Sequence, residues 1–281
     1  MAEHFESAEI VRTSEGRQYH VGVAPGEIAP YILLCGEPQR AERVAVHFSE
    51  VTHRLANREY VTITGIFEGA PVTVTATGIG VDNTEIAVIE LSQCVRKPTF
   101  IRVGSCGALK PEIELGELVI STGAAKLEAT SSYFVRDGFP ALAHHEVVLA
   151  LLESARQLEL EHHAGITATA CGFYGAQGRK VPGFPPRYPD LPAELERMGA
   201  SNYEMEASLL FTLAQLSGAR AGAVCAVYAN RHANRFIDTD TKARAEQDCI
   251  RCGLGAIRVL RAMAARRGEA RYWTPSDGLG A

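Results

Sequence analysis

Residues 99–103 form a short apolar run, Thr-Phe-Ile-Arg-Val, with an arginine inside it, and the run passes directly into Gly104-Ser-Cys-Gly107. A run of this kind reads as a buried strand. A guanidinium buried there is costly unless an anion or a carboxylate pairs with it. The glycines that follow let backbone N–H groups come close to a ligand. Arg102 and Ser105 therefore read in one of two ways. Either they form an anion cradle at a strand end, where ligands bind in α/β sheets, or Arg102 is paired with a core carboxylate beside an ordinary turn.

The same grammar recurs along the chain. Tyr31–Cys35 is an apolar strand that runs into Gly36-Glu-Pro-Gln-Arg40 and then a helix over 41–48. Residues 59–67 and 71–77 alternate with a period of two around Glu68-Gly-Ala70, the pattern of a hairpin. Gly78-Ile-Gly80 precedes a helix over 84–95, but Asn83 stands where a dinucleotide-binding fingerprint needs its third glycine, so that motif is incomplete. Asp82 with Glu85 reads as a capping box for this helix. Further strands are expected at 116–121, 163–170 and 222–229, and helices at 140–158, 201–217 and 241–266. Strands alternating with helices give an α/β fold. Five prolines between 182 and 192 mark a long irregular loop of the kind used as a lid or binding loop.

Composition excludes several classes. In a chain of 281 residues, a net charge of −5 argues against general nucleic-acid binding, which rests on basic surface. No apolar run approaches the roughly 20 residues that span a bilayer. Seven cysteines, an odd number lying mostly in apolar runs, point to reduced thiols and a cytoplasmic setting. Cys249 and Cys252 form a C-x-x-C pair without a second pair or histidine at zinc spacing, and read as ordinary helix residues. No metal and no cofactor is implied. Residues 1–16 read as a flexible N-terminal segment, 17–266 as one catalytic domain, and 267–281 as a C-terminal tail.

The polar residues at strand ends sort by chemistry. Arg40, Arg58, Arg102 and Ser105 with nearby glycines suit an oxyanion such as phosphate. Phe173, Gln177 and Arg179 offer a ring to stack on and polar groups for the edge of a planar heterocycle. Glu206 suits vicinal hydroxyls, since a carboxylate accepts from two neighbouring O–H groups. Phosphate, sugar and base in one pocket describe a nucleoside phosphorylase.

Six segments in order, Gly36-Glu-Pro-Gln-Arg40, Thr77-Gly-Ile-Gly80, Arg102-Val-Gly-Ser-Cys-Gly-Ala108, Phe173-Tyr-Gly-Ala-Gln-Gly-Arg179, Asn202-Tyr-Glu-Met-Glu206 and Asn230-Arg231, resemble the uracil-handling branch of the nucleoside phosphorylase-I family. The likeness runs from about His20 to about Arg261. It implies a single-domain, three-layer α/β fold with a central mixed, partly barrel-like β-sheet flanked by helices. The implied activity is reversible phosphorolysis of uridine to uracil and ribose 1-phosphate, with inorganic phosphate as co-substrate. By resemblance, Gly36, Arg40, Arg102 and Ser105 hold phosphate, and Arg58 reaches in from a neighbouring subunit. Met205 and Glu206 hold the ribose hydroxyls, with His20 of the neighbour on the 5′-hydroxyl. Phe173, Gln177, Arg179, Arg231 and Tyr228 serve the base. A homo-oligomer is implied, at least a dimer and in this family a hexamer built as a trimer of dimers.

The chain departs from the family pattern in places. Glu37 replaces a usual aspartate, Ser105 a frequent threonine, and Asn83 a serine that helps bind a monovalent cation in some members. Tyr228 and Ala229 stand where aliphatic residues often line the base's 5-position. Purine relatives usually carry an aspartate near Asn230. Phosphorolysis of another nucleoside (a purine or a 2′-deoxypyrimidine) and a non-catalytic nucleoside-binding protein of the same fold are the alternatives.

Overall fold

The structure, a computed structural model, describes residues 7–278. The first six residues of the expected N-terminal segment and the last three of the expected tail lie outside the described residues. In chain order the elements are β1 (Tyr31–Cys35), α1 (Pro38–Ala45), β2 (Glu50–Asn57), β3 (Tyr60–Phe67), β4 (Ala70–Ala76), α2 (Val81–Cys94), β5 (Thr99–Ala108) and β6 (Leu118–Leu127). They continue with β7 (Ala141–Leu142), α3 (His145–Gln157), β8 (His162–Ala170), α4 (Leu191–Arg197), β9 (Ala200–Glu204), α5 (Ala207–Ser217), β10 (Arg220–Asn230), β11 (Arg235–Phe236), α6 (Thr239–Arg267) and α7 (Pro275–Gly278).

β5 is the hub. It lies parallel to β1 on one side and to β10 on the other, and its far end pairs antiparallel with β9. The path β10-β6-β8-β9-β5 returns to β10, so five strands close into a barrel, while β1, β4, β3 and β2 extend the sheet beyond it. Closure pairs each of these five strands on both sides, and β2 is left as an edge at the far end of the extended sheet. Alternation along the strands divides the core in two. Leu33, Ile101, Val103 and Val224 pack against α1, α3 and α6, whereas Ile32, Leu34, Phe100 and Ala223 pack against α2 and α5. Three layers result, as the family resemblance implied. No helix among the described residues is long and apolar enough to cross a membrane.

Several expectations need correction. The glycine-rich stretch after Val103 is not a turn: β5 continues unbroken to Ala108, held by β10 and β9 on its two sides. β2 was not anticipated, because it is an edge strand whose side chains are mostly exposed and polar and give no apolar signal. The expected helix at 201–217 begins only at Ala207, since residues 200–204 are fully buried and pair as β9 with β8 and β5. The expected helix at 140–158 opens with the short strand β7 and starts at His145, with His144 as its N-cap. There is no capping box at α2. The helix starts after Gly80 with no side-chain cap, and Asp82 instead accepts from the Thr130 hydroxyl. Beyond α6 the chain folds back, with the Trp273 amide donating to Glu146 at 3.1 Å.

Candidate active site

The parallel strands β4, β1, β5 and β10 end on one side of the sheet, and a cleft of about 670 Å³ opens there. Ten of the residues singled out from the sequence line it: Gly36, Arg40, Arg102, Ser105, Phe173, Gln177, Arg179, Met205, Glu206 and Tyr228. A larger hollow of about 870 Å³ lies between α3 and α6 beside Trp273, lined by aliphatic side chains and rim arginines. Only the start of one strand reaches it, at His162 of β8, and no C-terminal strand end opens into it, whereas the smaller cleft lies at the C-terminal ends of four parallel strands.

Arg102 reaches the cleft from the interior of β5 and is 6% exposed. Gly104, two residues on, is what makes room: a Cβ there would come within 2.8 Å of the Arg102 guanidinium. The guanidinium lies between two carboxylates, with Nε 2.9 Å from Glu204 Oε2 and Nη2 2.5 Å from Glu206 Oε2. Arg102 thus has the core carboxylate partners of the second reading, without its turn, and also lines the cleft. Glu204 is anchored further by the Thr169 hydroxyl at 2.6 Å and by the amides of Glu206 and Ala207, so it also caps the start of α5. Glu206 accepts from Gly80 N at 2.6 Å and from Met205 N at 3.2 Å. Burial pushes the Glu206 carboxyl above its ordinary range and Glu204 adds to this, with Arg102 and the two amides only partly offsetting the rise.

Arg40, on the first turns of α1, is 5% exposed. Its Nε lies 2.6 Å from Glu246 of α6, Nη1 donates to Val103 O at 3.3 Å, and Nη2 donates to the Tyr228 hydroxyl at 3.3 Å. Glu246 also holds Arg43 at 2.8 Å. Glu246 is a positioning residue that sequence reading missed. Its partner lies 206 positions away, and its only trace is a carboxylate two turns inside a long amphipathic helix.

Tyr228 enters the cleft through a bulge. The β10–β5 register shifts between Val227 and Ala229, so Tyr228 is the extra residue and its side chain is re-aimed. Burial pushes its hydroxyl up to about 12.

The loop after β8 supplies the opposite end. Arg179 lies over the Phe173 ring at 3.9 Å, donates to Phe173 O at 3.0 Å, and approaches Gln177 Oε1 at 3.5 Å. Arg231 follows β10, with its stem over Gly107. Burial lowers the pKa of both arginines, and for Arg179 the charge of Arg231 adds to the effect. Neither has a carboxylate partner among the described residues, which leaves a concentration of positive charge at this end. The buried Nη1 of Arg231 and the buried hydroxyl of Tyr203 have no protein partner either. Asn230 is fully engaged: its amide donates to Ile113 O at 2.8 Å and its oxygen accepts from Ala233 N at 2.7 Å.

Arg231 does not itself line the cleft, and neither do His20 and Arg58. His20 and Arg58 meet elsewhere. Arg58 lies over the Tyr19 ring at 4.5 Å, and Asn57 beside it donates to His20 O at 2.7 Å. His20 Nδ1 is 2.7 Å from Glu90. Arg58 sits at the β2–β3 turn with φ +53°, a left-handed conformation that favours glycine or asparagine over arginine. Among the described residues no cluster of three or more metal-ligating side chains is found.

A family model described as "Phosphorylase superfamily" matches residues 30–260. The chain belongs to the phosphorylase superfamily. Within this superfamily it is 47% identical over 240 residues to a uridine phosphorylase of Thermococcus kodakarensis, covering 84% of this chain and 86% of that one. It is 32% identical over 256 residues to the uridine phosphorylase of Escherichia coli, covering 88% and 99%. A guanosine phosphorylase of Halorubrum lacusprofundi is 34% identical over 214 residues, covering 76% and 84%. The crystal structure of a uridine phosphorylase from Vibrio fischeri superposes with a TM-score of 0.79 at 27% identity, covering 87% of this chain and 98% of that one.

Proposed function

We propose that this phosphorylase-superfamily protein is a pentosyltransferase that cleaves uridine with inorganic phosphate to give uracil and ribose 1-phosphate. One observation carries the reading: a single cleft holds Arg40, Arg102 and Ser105 at one end, Glu206 between, and Phe173, Gln177 and Arg179 at the other. The uridine phosphorylases among the relatives support the choice of base. Asn230 supports it too. Purine relatives usually carry a carboxylate near this position, whereas here an amide is consumed by backbone groups.

The chemistry follows from charge. As the C1′–N1 bond stretches, its electron pair moves to the uracil and the ribose becomes oxocarbenium-like. Phosphate held by Arg40, Arg102 and Ser105 stabilises that cation and bonds to C1′ through oxygen, and the proton that hydrogen phosphate gives up in becoming the sugar phosphate passes, by way of water, to the uracil. Arg179, with the field of Arg231 behind it, stabilises the base most where its negative charge develops. Glu206 and Met205 orient the sugar. We place the protein in the cytoplasm as a homo-oligomer, with His20 and Arg58 completing a neighbour's cleft. Seven free cysteines, six of them buried, fit a reducing compartment.

The test is release of free uracil from uridine with and without phosphate. The reading expects phosphate-dependent release. Phosphate-independent release would make the protein a hydrolase, and binding without release would make it a nucleoside-binding protein. Guanosine consumed in preference to uridine would favour the purine alternative. The sugar assignment has its own check. Glu206→Gln is expected to lower kcat/KM for uridine by about 10- to 100-fold, the scale of a charged hydrogen bond. 2′-Deoxyuridine, with one hydroxyl fewer, should lose less; equal losses would count against the ribose role.

A further inference from the structure

Residues 18–23 fold into a tight loop, closed by Gln18 N on Val23 O at 2.9 Å and by Gly22 N on Gln18 O at 3.1 Å. A carboxylate from far along the chain grips this loop. Glu90 of α2 is 8% exposed and lies beside Ala87, Leu91 and Cys94 on the buried face of that helix, in the same core as Val21 and Val23. A carboxylate in such a place is costly unless it is hydrogen-bonded. Through Oε2 it accepts from Val21 N at 2.8 Å and from His20 N at 3.1 Å, and its Oε1 lies 2.7 Å from His20 Nδ1. Asn57 holds the other side of the same residue, donating to His20 O at 2.7 Å. His20 is thereby fixed at its amide, its carbonyl and its ring. Its Nε2 has no hydrogen-bond partner among the described residues, and 31% of the side chain is exposed.

The pairing decides where the ring carries its proton. A carboxylate that takes two backbone N–H groups on one oxygen can only accept from the imidazole on the other. Nδ1 therefore bears the hydrogen, and Nε2 of the neutral ring keeps its lone pair. We infer that Glu90 is the positioning residue for the 5′ end of the ribose: it fixes the tautomer and the aim of His20, so that Nε2 accepts from the 5′-hydroxyl of a nucleoside in a neighbouring subunit's cleft. This rests on the uridine reading above and on His20 serving a neighbour. The 5′-hydroxyl is then the donor in this contact, and a nucleoside without that donor gains nothing from His20.

The test compares uridine with 5′-deoxyuridine. Glu90→Gln keeps the size of the side chain but leaves one acceptor oxygen, too few for both the ring and the backbone N–H groups. It is expected to cut the kcat/KM preference for uridine over 5′-deoxyuridine about tenfold, the upper end for a neutral hydrogen bond, as His20→Ala should. Its kcat/KM for 5′-deoxyuridine itself should stay within about twofold of native, a split that mere loosening of the fold would not give. An intact preference in Glu90→Gln, or equal losses on the two substrates, reduces Glu90 to a tether for the loop and overturns the inference. If thermal melts show that Glu90→Gln does not fold, the native protein still decides. 5′-Fluoro-5′-deoxyuridine offers an acceptor and no donor, so it is expected to react no better than 5′-deoxyuridine. Turnover matching that of uridine would show Nε2 donating and overturn the tautomer. An intact preference in His20→Ala would instead remove His20 from the 5′-hydroxyl, and the inference with it. Failure of the native protein to release uracil with phosphate would be failure of the uridine reading.

Discussion

Replacing Arg179 by alanine is expected to slow uridine turnover by roughly 10²–10³-fold, the cost of removing one donor aimed at charge that develops in the transition state. The expectation rests on placement. Arg179 is stacked on Phe173, beside Gln177, with Arg231 as its charged neighbour and no carboxylate to neutralise it among the described residues. Loss of a ground-state contact alone would appear in KM. Loss of leaving-group stabilisation appears in kcat, and it should be smaller for 5-fluorouridine, whose base carries negative charge more readily. Wild-type-like turnover in a folded Arg179→Ala protein would remove Arg179 from the base edge.

Arg58→Ala is also expected to be nearly inactive, by about 10²-fold or more, the scale of leaving a charged partner unmatched across an interface. The motivation is that Arg58, at the β2–β3 turn, and His20, whose carbonyl accepts from Asn57 beside it, lie outside this chain's own cleft, where residues that serve a neighbour's cleft would lie. In the proposed oligomer a second copy of the chain would bring them to it. Mixing then provides a clean test. Arg58→Ala and Arg179→Ala subunits, co-refolded in equal amounts, pair at random, so about half of the two-fold pairs are mixed. Each mixed pair has one cleft with both arginines and one with neither, which predicts recovery of about a quarter of native activity. Full activity in Arg58→Ala alone would make the residue an ordinary turn arginine. Verified mixed oligomers that stay inactive would place its action within its own chain.

Much of this architecture was legible from the order of residues. Buried parallel strands announce themselves as apolar runs, and each run near the cleft ends in glycine or a polar pair, so β1, β5, β8 and β10 and the cleft residues on them could be read directly. What escaped lies where sequence signals are local and the physics is not. Glu204 and Glu246 are partners of arginines 102 and 206 positions away, and nothing local distinguishes them from helix carboxylates facing solvent. β9 reads as the start of a helix in the sequence because its residues, Ala-Ser-Asn-Tyr-Glu, have little strand propensity, and the pairing with β8 and β5 that makes them a strand is not local. β2, polar and exposed, carries no alternation to detect. The bulge at Tyr228 is a matter of register, and register depends on the neighbouring strand.

The position of Arg102 between Glu204 and Glu206 bears on how the two substrates influence each other. Glu204 is tied down by Thr169 and by the start of α5, so it remains on the guanidinium whatever else binds. Glu206 is held there by the short contact to Nη2, which on the proposed function is the side of the guanidinium that phosphate would take. Phosphate can thus take the place of one carboxylate on an arginine that is never left without counter-charge. The carboxylate it releases is the one that sugar hydroxyls can receive. On the proposed function such an exchange would couple the two ligands, each lowering the dissociation constant of the other by the same factor, as linkage requires. Uridine affinity measured across a phosphate series, in a variant too slow to turn over, gives the sign, and an affinity indifferent to phosphate would show that the two carboxylates act independently.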